Sequence, residues 1–94
     1  MKISFLASHN GSSAKAIIKA IRTAKLDAEI GVLITNNRDS NILQWCLEND
    51  IEVHHISAKT HRGEDNADEA IQTVLRDAET NLVVCSGYMK EIGP

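Results

Sequence analysis

Four short segments with strand character, separated by segments with helical periodicity, constrain the fold of this 94-residue chain more than any other feature. The predicted strands span Ile3–Ala7, Ile30–Ile34, Ile51–Ile56 and Asn81–Ser86, and their β-branched residues and polar flanks are typical of strands. Strands that are joined by helical crossovers must be parallel, with right-handed connections. We therefore predict an α/β fold, with an open parallel sheet of four strands in the order 3-2-1-4 and helices on both faces, as in a Rossmann-like domain.

Three helices are predicted between the strands. In the first, Ala14, Ile17, Ile18, Ile21 and Ala24 recur at helical spacing, and Ser12 or Ser13 is the natural N-cap. The second helix is predicted over Asn41–Asn49. The third follows a polar connection over Ser57–Asn66 and turns an apolar face toward the core from Ala67 to Ala78.

The turn after the first strand, Ser8–Ser13, has the composition of a small anion site. A helix that begins there directs backbone N–H groups and the positive end of its dipole at the turn. Gly11 allows a ligand to approach the backbone, and Asn10, Ser12 and Ser13 carry side-chain donors. The turn is neither a Walker A loop nor a three-glycine dinucleotide motif. A turn of this composition also caps helices without any ligand, so both interpretations stay open at this point.

The predicted strand order places the first and fourth strands side by side with connections that leave in opposite directions. Open α/β sheets bind ligands at this switch point, outside the carboxyl ends of the strands. Here His9–Ser13 and Ser86–Lys90 would line the crevice.

Composition indicates one small globular domain, with 43% hydrophobic and 24% charged residues and a net charge of -3. The chain has no apolar run of membrane-spanning length, and it lacks the interleaved basic and aromatic residues of nucleic-acid binders. We therefore expect a cytoplasmic protein that binds neither membranes nor nucleic acid. Cys46 and Cys85 each lie among apolar neighbours, which predicts reduced core thiols.

Four motifs in order along the chain resemble a known family. They are Ser8–Ser12, Thr35–Asn37, Ser57–His61 and Gly87–Pro94. Together they are similar to the N-terminal half of phosphoribosylglycinamide formyltransferases, the folate-dependent enzymes of purine synthesis. The similarity covers essentially the whole chain, so residues 1–94 are expected to form a single, truncated, nucleotide-substrate-binding domain of that kind.

The resemblance implies two binding sites. It assigns the phosphate of glycinamide ribonucleotide to Asn10, Gly11, Ser12 and Ser13. It assigns the co-substrate 10-formyltetrahydrofolate to a second set, which comprises Arg62, Met89, Lys90, Glu91 and Ile92. The chain departs from the family's usual residues at His9, Ser13 and Arg62.

The family's catalytic residues, a His-x-Asn motif and a later Asp, are not found in these 94 residues. His54 and His55 lack that context, and as neighbours on a strand they point to opposite faces, which argues against a shared metal site. Formyl transfer needs one group to stabilise the developing oxyanion and another to manage the amine proton. The prediction is therefore that this chain binds substrate, has no catalytic or metal-ligating residue of its own, and cannot catalyse alone.

Two alternative functions remain open beside this prediction. One is a non-catalytic module that binds an anion or nucleotide and works by assembly. The other is part of another folate-dependent enzyme, such as methionyl-tRNA formyltransferase or formyltetrahydrofolate deformylase. For the first of these, an uncovered apolar edge on the fourth strand would invite pairing, which predicts a homodimer or a partner chain along that edge.

Overall fold

The computed structural model describes residues 1–8, 11–37, 40–57 and 63–86. Within these residues, strands and helices alternate in seven elements: β1 (Lys2–Ala7), α1 (Ser12–Arg22), β2 (Glu29–Thr35), α2 (Asn41–Glu48), β3 (Val53–His55), α3 (Glu64–Asp77) and β4 (Leu82–Ser86). In the described part of the chain, no helix is long and apolar enough to cross a membrane.

All the strands lie in one parallel sheet with the order β3-β2-β1-β4, which confirms the predicted topology. The register aligns the carboxyl ends of neighbouring strands. Ala7, the last residue of β1, pairs with Thr35 of β2 on one side and with Ser86 of β4 on the other. The carboxyl ends of these three strands therefore lie at the same edge of the sheet.

The helices cover both faces of the sheet, as predicted. Phe5 and Leu33 pack on one face against buried residues of α1 and α2, which include Ala14, Ile18, Ile42 and Cys46. Leu6, Val32 and Ile34 pack on the other face against Ala67 and Ile71 of α3. The continuous apolar runs of β1 and β2 arise because both faces of these central strands are buried.

A bulge in β2 interrupts its pairing with β1. Ile3 pairs with Ile30 and Phe5 with Leu33, so β2 contains one more residue than β1 over this interval. The buried Ser4 hydroxyl fills the gap, because its Oγ accepts a hydrogen bond from the Val32 N–H at 3.1 Å and lies 2.7 Å from Thr80 Oγ1. A Cβ at Gly31 would lie 2.3 Å from Ser4 Oγ, so only glycine leaves room for the hydroxyl.

Several predicted boundaries were wrong. The N-cap of α1 is Gly11, not Ser12 or Ser13, and Ala24 lies beyond the end of that helix with φ 61°. The helix α3 begins at Glu64, before the predicted connection ends, because Gly63 serves as its N-cap. The strand β3 covers only Val53–His55, and the flanking Ile51 and Ile56 are buried outside the strand.

Each helix ends with the same backbone motif. The residue that follows the C-cap has positive φ in all three helices: Ala24, Asp50 and Glu79, with φ values of 61°, 57° and 57°. The next N–H then donates back to a carbonyl in the last turn, as from Lys25 to Ala20 at 2.9 Å and from Thr80 to Leu75 at 3.1 Å. This is the Schellman arrangement, here built without glycine.

The two cysteines differ in environment. Cys46, on the buried face of α2, is fully buried in the core, as predicted. Cys85 is exposed, so its prediction as a core thiol was wrong. The cause is that β4 is an edge strand whose alternate residues are not all covered.

Candidate functional site

The N-termini of α1 and α2 meet at the carboxyl edge of the sheet. The first follows β1 and the second follows β2, and the ends of these strands are paired through Ala7 and Thr35. Ile42, in the first turn of α2, packs beside Gly11 at the start of α1. Neither helix has an acidic residue in its first turn. The positive ends of the two helix dipoles therefore lie side by side, and no carboxylate in either turn offsets them.

Gly11 fixes the start of α1. It is buried with φ 62° and ψ 38°, a left-handed conformation that L side chains rarely adopt, and its carbonyl accepts the first helical hydrogen bond from Lys15 N–H at 2.8 Å. A Cβ at this position would lie 2.7 Å from Ile42 Cδ1 and 2.8 Å from Ile42 Cγ1. Glycine is therefore required both by the backbone angle and by the close packing of α2.

Ser12 and Ser13 are the first two residues of α1, and both are exposed. Backbone N–H groups in the first turn of a helix have no carbonyl within the helix to which they can donate. Each residue therefore offers a backbone donor and a hydroxyl to solvent on the same turn. This set can hold a small anion such as a phosphate. Gly11, Ser12 and Ser13 lie together at the start of α1, and their assignment to a phosphate stays a prediction.

A second polar turn stands beside the first. Thr35 is fully buried at the end of β2, and its Oγ1 accepts a hydrogen bond from the Asn37 N–H at 3.2 Å and lies 3.3 Å from Ser40 Oγ. Ser40 is the N-cap of α2. These hydroxyl contacts hold the start of α2, and hence Ile42, against Gly11. The sequence pattern gives no sign of this supporting role, although Thr35–Asn37 is among the motifs that carry the resemblance.

Lys15 adds positive charge near the turn. Its Nζ lies 5.8 Å from the ring centroid of Trp45 on α2, within the range of a cation–π contact. This contact joins α1 and α2 on the same face of the sheet. Burial raises the pKa of the Cys46 thiol from 9.0 to about 11, and the nearby Lys15 ammonium opposes that rise.

The other predicted site residues lie outside the described residues: Asn10, Arg62, Met89, Lys90, Glu91 and Ile92. The structure does show where β4 ends, just before residues 89–92. Because Ser86 ends β4 in register with Ala7, the chain leaves β4 at the same edge as the turn before α1.

A cavity of about 410 Å³ lies at the opposite end of the sheet, under the last turn of α3. Lys2, Gly31 and Asp77 contribute to its lining, together with Glu52 and His54, whose Oε2 and Nε2 atoms are 2.8 Å apart. It lies on the face of the sheet that α3 covers, whereas the turn at Gly11 leads into α1, which packs on the other face. Over the described ranges, no group of three or more His, Cys, Asp or Glu residues is placed to hold a metal ion.

Comparison with known proteins finds relatives along the whole chain. Phosphoribosylglycinamide formyltransferase of Bacillus subtilis is 26% identical over 92 residues, which are 98% of this chain and 47% of the relative. The protein of the same name from Haemophilus influenzae is 29% identical over 93 residues, covering 99% of this chain and 44% of the relative. The chain therefore spans less than half the length of these relatives.

A solved structure shares the fold. Glycinamide ribonucleotide transformylase 1 from Symbiobacterium toebii matches with a TM-score of 0.91 and 21% identity, over 100% of this chain and 44% of that one. The family model described as formyl transferase matches residues 1–94. These matches confirm the resemblance that the four motifs indicate, and this chain belongs to the formyl transferase family.

Proposed function

We propose that residues 1–94 are the N-terminal, substrate-binding part of a phosphoribosylglycinamide formyltransferase domain, and that the turn at Gly11 binds the phosphate of glycinamide ribonucleotide. The observation that carries the proposal is the start of α1, where a buried left-handed glycine is followed by the exposed Ser12 and Ser13. Backbone N–H groups at a helix start favour a dianionic phosphate through both hydrogen bonds and the helix dipole. Asn10 would complete this set.

The same proposal places 10-formyltetrahydrofolate next to the ribonucleotide. The residues assigned to it are Arg62, Met89, Lys90, Glu91 and Ile92. Support comes from the sheet, because β1 and β4 end side by side at Ala7 and Ser86. Two substrates held at this switch point would have their reacting groups close together.

The chain's own residues bind and orient, and the formyl transfer needs groups beyond them. Its sequence contains no His-x-Asn motif, and the role proposed for the Gly11 turn is to hold one end of the acceptor so that its amine is presented at a fixed position. Both cysteines are free, which is consistent with the cytoplasmic location we propose for this chemistry.

The test uses two aspartate variants at equivalent places. In Ser13→Asp the carboxylate would stand in the first turn of α1 and repel the phosphate, and we expect binding of glycinamide ribonucleotide, measured by calorimetry, to weaken by more than about tenfold. Asn66→Asp places the same charge in the first turn of α3, at an exposed position on the other face of the sheet, and serves as the matched control. Equal affinities for the two variants would contradict the proposal.

Assembly is the second candidate function. The observation that favours it is the exposure of β4 at the edge of the sheet, where Leu82 and Val83 are 44% and 38% exposed. Pairing along this edge, with a second copy or with a partner chain, would cover them.

A further inference from the structure

Two contacts between α1 and α2 lie one helical turn apart. The first is the packing of Gly11 against Ile42 at the helix starts. In the second, the Nζ of Lys15 lies 5.8 Å from the centroid of the Trp45 ring. Lys15 follows Gly11 by four residues, and Trp45 follows Ile42 by three. Such spacings place side chains on the same face of a helix, one turn apart. The two helices therefore share a seam, which begins at the turn proposed to bind phosphate.

Lys15 is placed to reach that turn. It lies about 6 Å along the helix axis from Gly11, and helical side chains lean toward the N-terminus of their helix. The flexible four-carbon stem of a lysine can span such a distance. Lys15 is half-buried, and its ammonium opposes the rise that burial causes in the pKa of the Cys46 thiol. The charge of Lys15 thus lies beside α2, within the seam.

The charges on the two helices favour an anion at this end of the seam. The helix α1 contains Lys15, Lys19 and Arg22 and no acidic residue. The helix α2 contains one acidic residue, Glu48, at its last position. The Lys15 ammonium and the two helix dipoles therefore add positive potential at the helix starts, and neither helix contributes a carboxylate there.

We propose that Lys15 binds the phosphate held at the Gly11 turn and that Trp45 is the positioning residue for Lys15, a role that rests on the proposed function. The indole ring holds the ammonium beside the turn through the cation–π contact. The incoming dianion then draws the ammonium off the ring into a charge-assisted hydrogen bond. A lysine that is already held in the seam loses less rotamer freedom on binding than a fully solvated one.

Two simpler roles for Lys15 predict different results. As a solvated charge on a helix face, it would act like Lys19, which is exposed one turn further along α1. As a packing residue, it would act through its apolar stem, and methionine would replace it without loss of binding. Substitution by methionine therefore separates the charge of Lys15 from its packing.

The experiment compares Lys15→Met with the matched control Lys19→Met. Each substitution removes one positive charge and keeps an unbranched side chain of similar helix propensity. Glycinamide ribonucleotide and inorganic phosphate are the two probes, titrated by calorimetry. We expect Lys15→Met to weaken binding of both by about tenfold, because a charge-assisted hydrogen bond is lost, and Lys19→Met by less than about threefold. Lys15→Arg keeps the charge and stacks on aromatic rings, so its affinities should stay within about threefold of the wild type.

Trp45 is the only tryptophan in the chain and gives two further readouts. Trp45→Leu should weaken phosphate binding by about threefold when Lys15 is present. It should have no effect in the Lys15→Met background, because the ring acts through the ammonium. In the unmodified chain, phosphate should change the indole fluorescence saturably, whereas chloride at the same ionic strength should not. That change should be absent from Lys15→Met.

Three results would each overturn the role of Lys15 and Trp45. They are equal affinities for Lys15→Met and Lys19→Met, an indole signal that persists in Lys15→Met, and an equal effect of Trp45→Leu in both backgrounds. Thermal melts check that each variant is folded at the temperature of the titrations.

The two probes distinguish this role from the proposed function. If Ser13→Asp weakens ribonucleotide binding and Lys15→Met does not, only the role of Lys15 is overturned. If inorganic phosphate binds in a Lys15-dependent way and glycinamide ribonucleotide does not bind, only the proposed function is overturned. Absence of binding for both probes overturns both.

Discussion

Gly11 at the start of α1 lies so close to Ile42 of α2 that a Cβ on the glycine would be 2.7 Å from Ile42 Cδ1. Two helices that follow different strands are thereby packed start to start at the carboxyl edge of the sheet. The same glycine gives the backbone its left-handed angle, with φ 62°. The candidate phosphate turn is thus a packed part of the core.

Replacement of Gly11 by alanine should destabilise the chain by roughly 2–4 kcal/mol, from the positive φ and from overpacking against a fully buried side chain. In an Ile42→Val background, which removes Cδ1, we expect the cost of Gly11→Ala to fall by about 1 kcal/mol. Denaturant titrations of the four chains give both values. Equal costs in the two backgrounds would show that the contact between the added Cβ and Ile42 Cδ1 does not contribute to the loss of stability.

The Ser4–Gly31 pair makes a similar test in the sheet. Ser4→Ala leaves the buried Val32 N–H without its acceptor and should cost about 1–3 kcal/mol. Gly31→Ala should cost about 1–3 kcal/mol because its Cβ meets Ser4 Oγ. The double variant should be more stable than the sum of the two losses predicts, because Ser4→Ala removes the Oγ that the added Cβ at Gly31 would meet. Strict additivity of unfolding free energies would contradict this account of the bulge.

The helix ends offer stabilising substitutions. Ala24 and Glu79 hold positive φ without being glycine, and Ala24→Gly and Glu79→Gly should each raise the free energy of unfolding by about 0.5–1 kcal/mol. Asp50 is the equivalent residue after α2. A loss of stability on both substitutions would argue against the Schellman geometry at these positions.

Cys46 predicts a pH dependence. Because burial raises its pKa from 9.0 to about 11, the unfolded chain loses the thiol proton at a lower pH than the folded chain does. The stabilisation is fully present below 9.0 and is lost as the pH rises toward 11. Between these limits the wild-type chain should lose more stability than Cys46→Ala does. Parallel losses in urea titrations at the two limits would contradict the prediction.

Charge at the start of α1 should affect stability and binding in opposite directions. The first turn has no acidic residue, so Ser13→Asp should raise the free energy of unfolding by about 0.3–1 kcal/mol through the helix dipole. The same change is expected to weaken phosphate binding. A thermal melt beside the calorimetry therefore separates loss of a site from loss of the fold.

The strand order was predictable from sequence because the apolar runs alternate with helical segments, and such connections permit few topologies. The N-cap of α1 was not predictable. Gly11 takes that position because it packs against Ile42, a residue far along the chain. The bulge at Gly31 had a weak signal, as glycine inside a strand often marks one.

The exposure of Cys85 could not be predicted, because its apolar neighbours indicate a buried strand and only the tertiary arrangement decides what covers it. For the candidate site, adjacency in the sequence was enough to bring Gly11, Ser12 and Ser13 together. The support from Thr35 and Ser40 needed the structure, because hydroxyl contacts across a turn depend on its backbone path.

The most direct test of the central claim is a titration of the isotope-labelled chain with glycinamide ribonucleotide, followed through backbone amide resonances. We predict that the largest shifts occur at Gly11, Ser12 and Ser13, because their N–H groups would face the phosphate. Shifts concentrated instead at Gly31 and Glu52, beside the cavity at the other end of the sheet, would contradict the claim. So would the absence of any saturable shift.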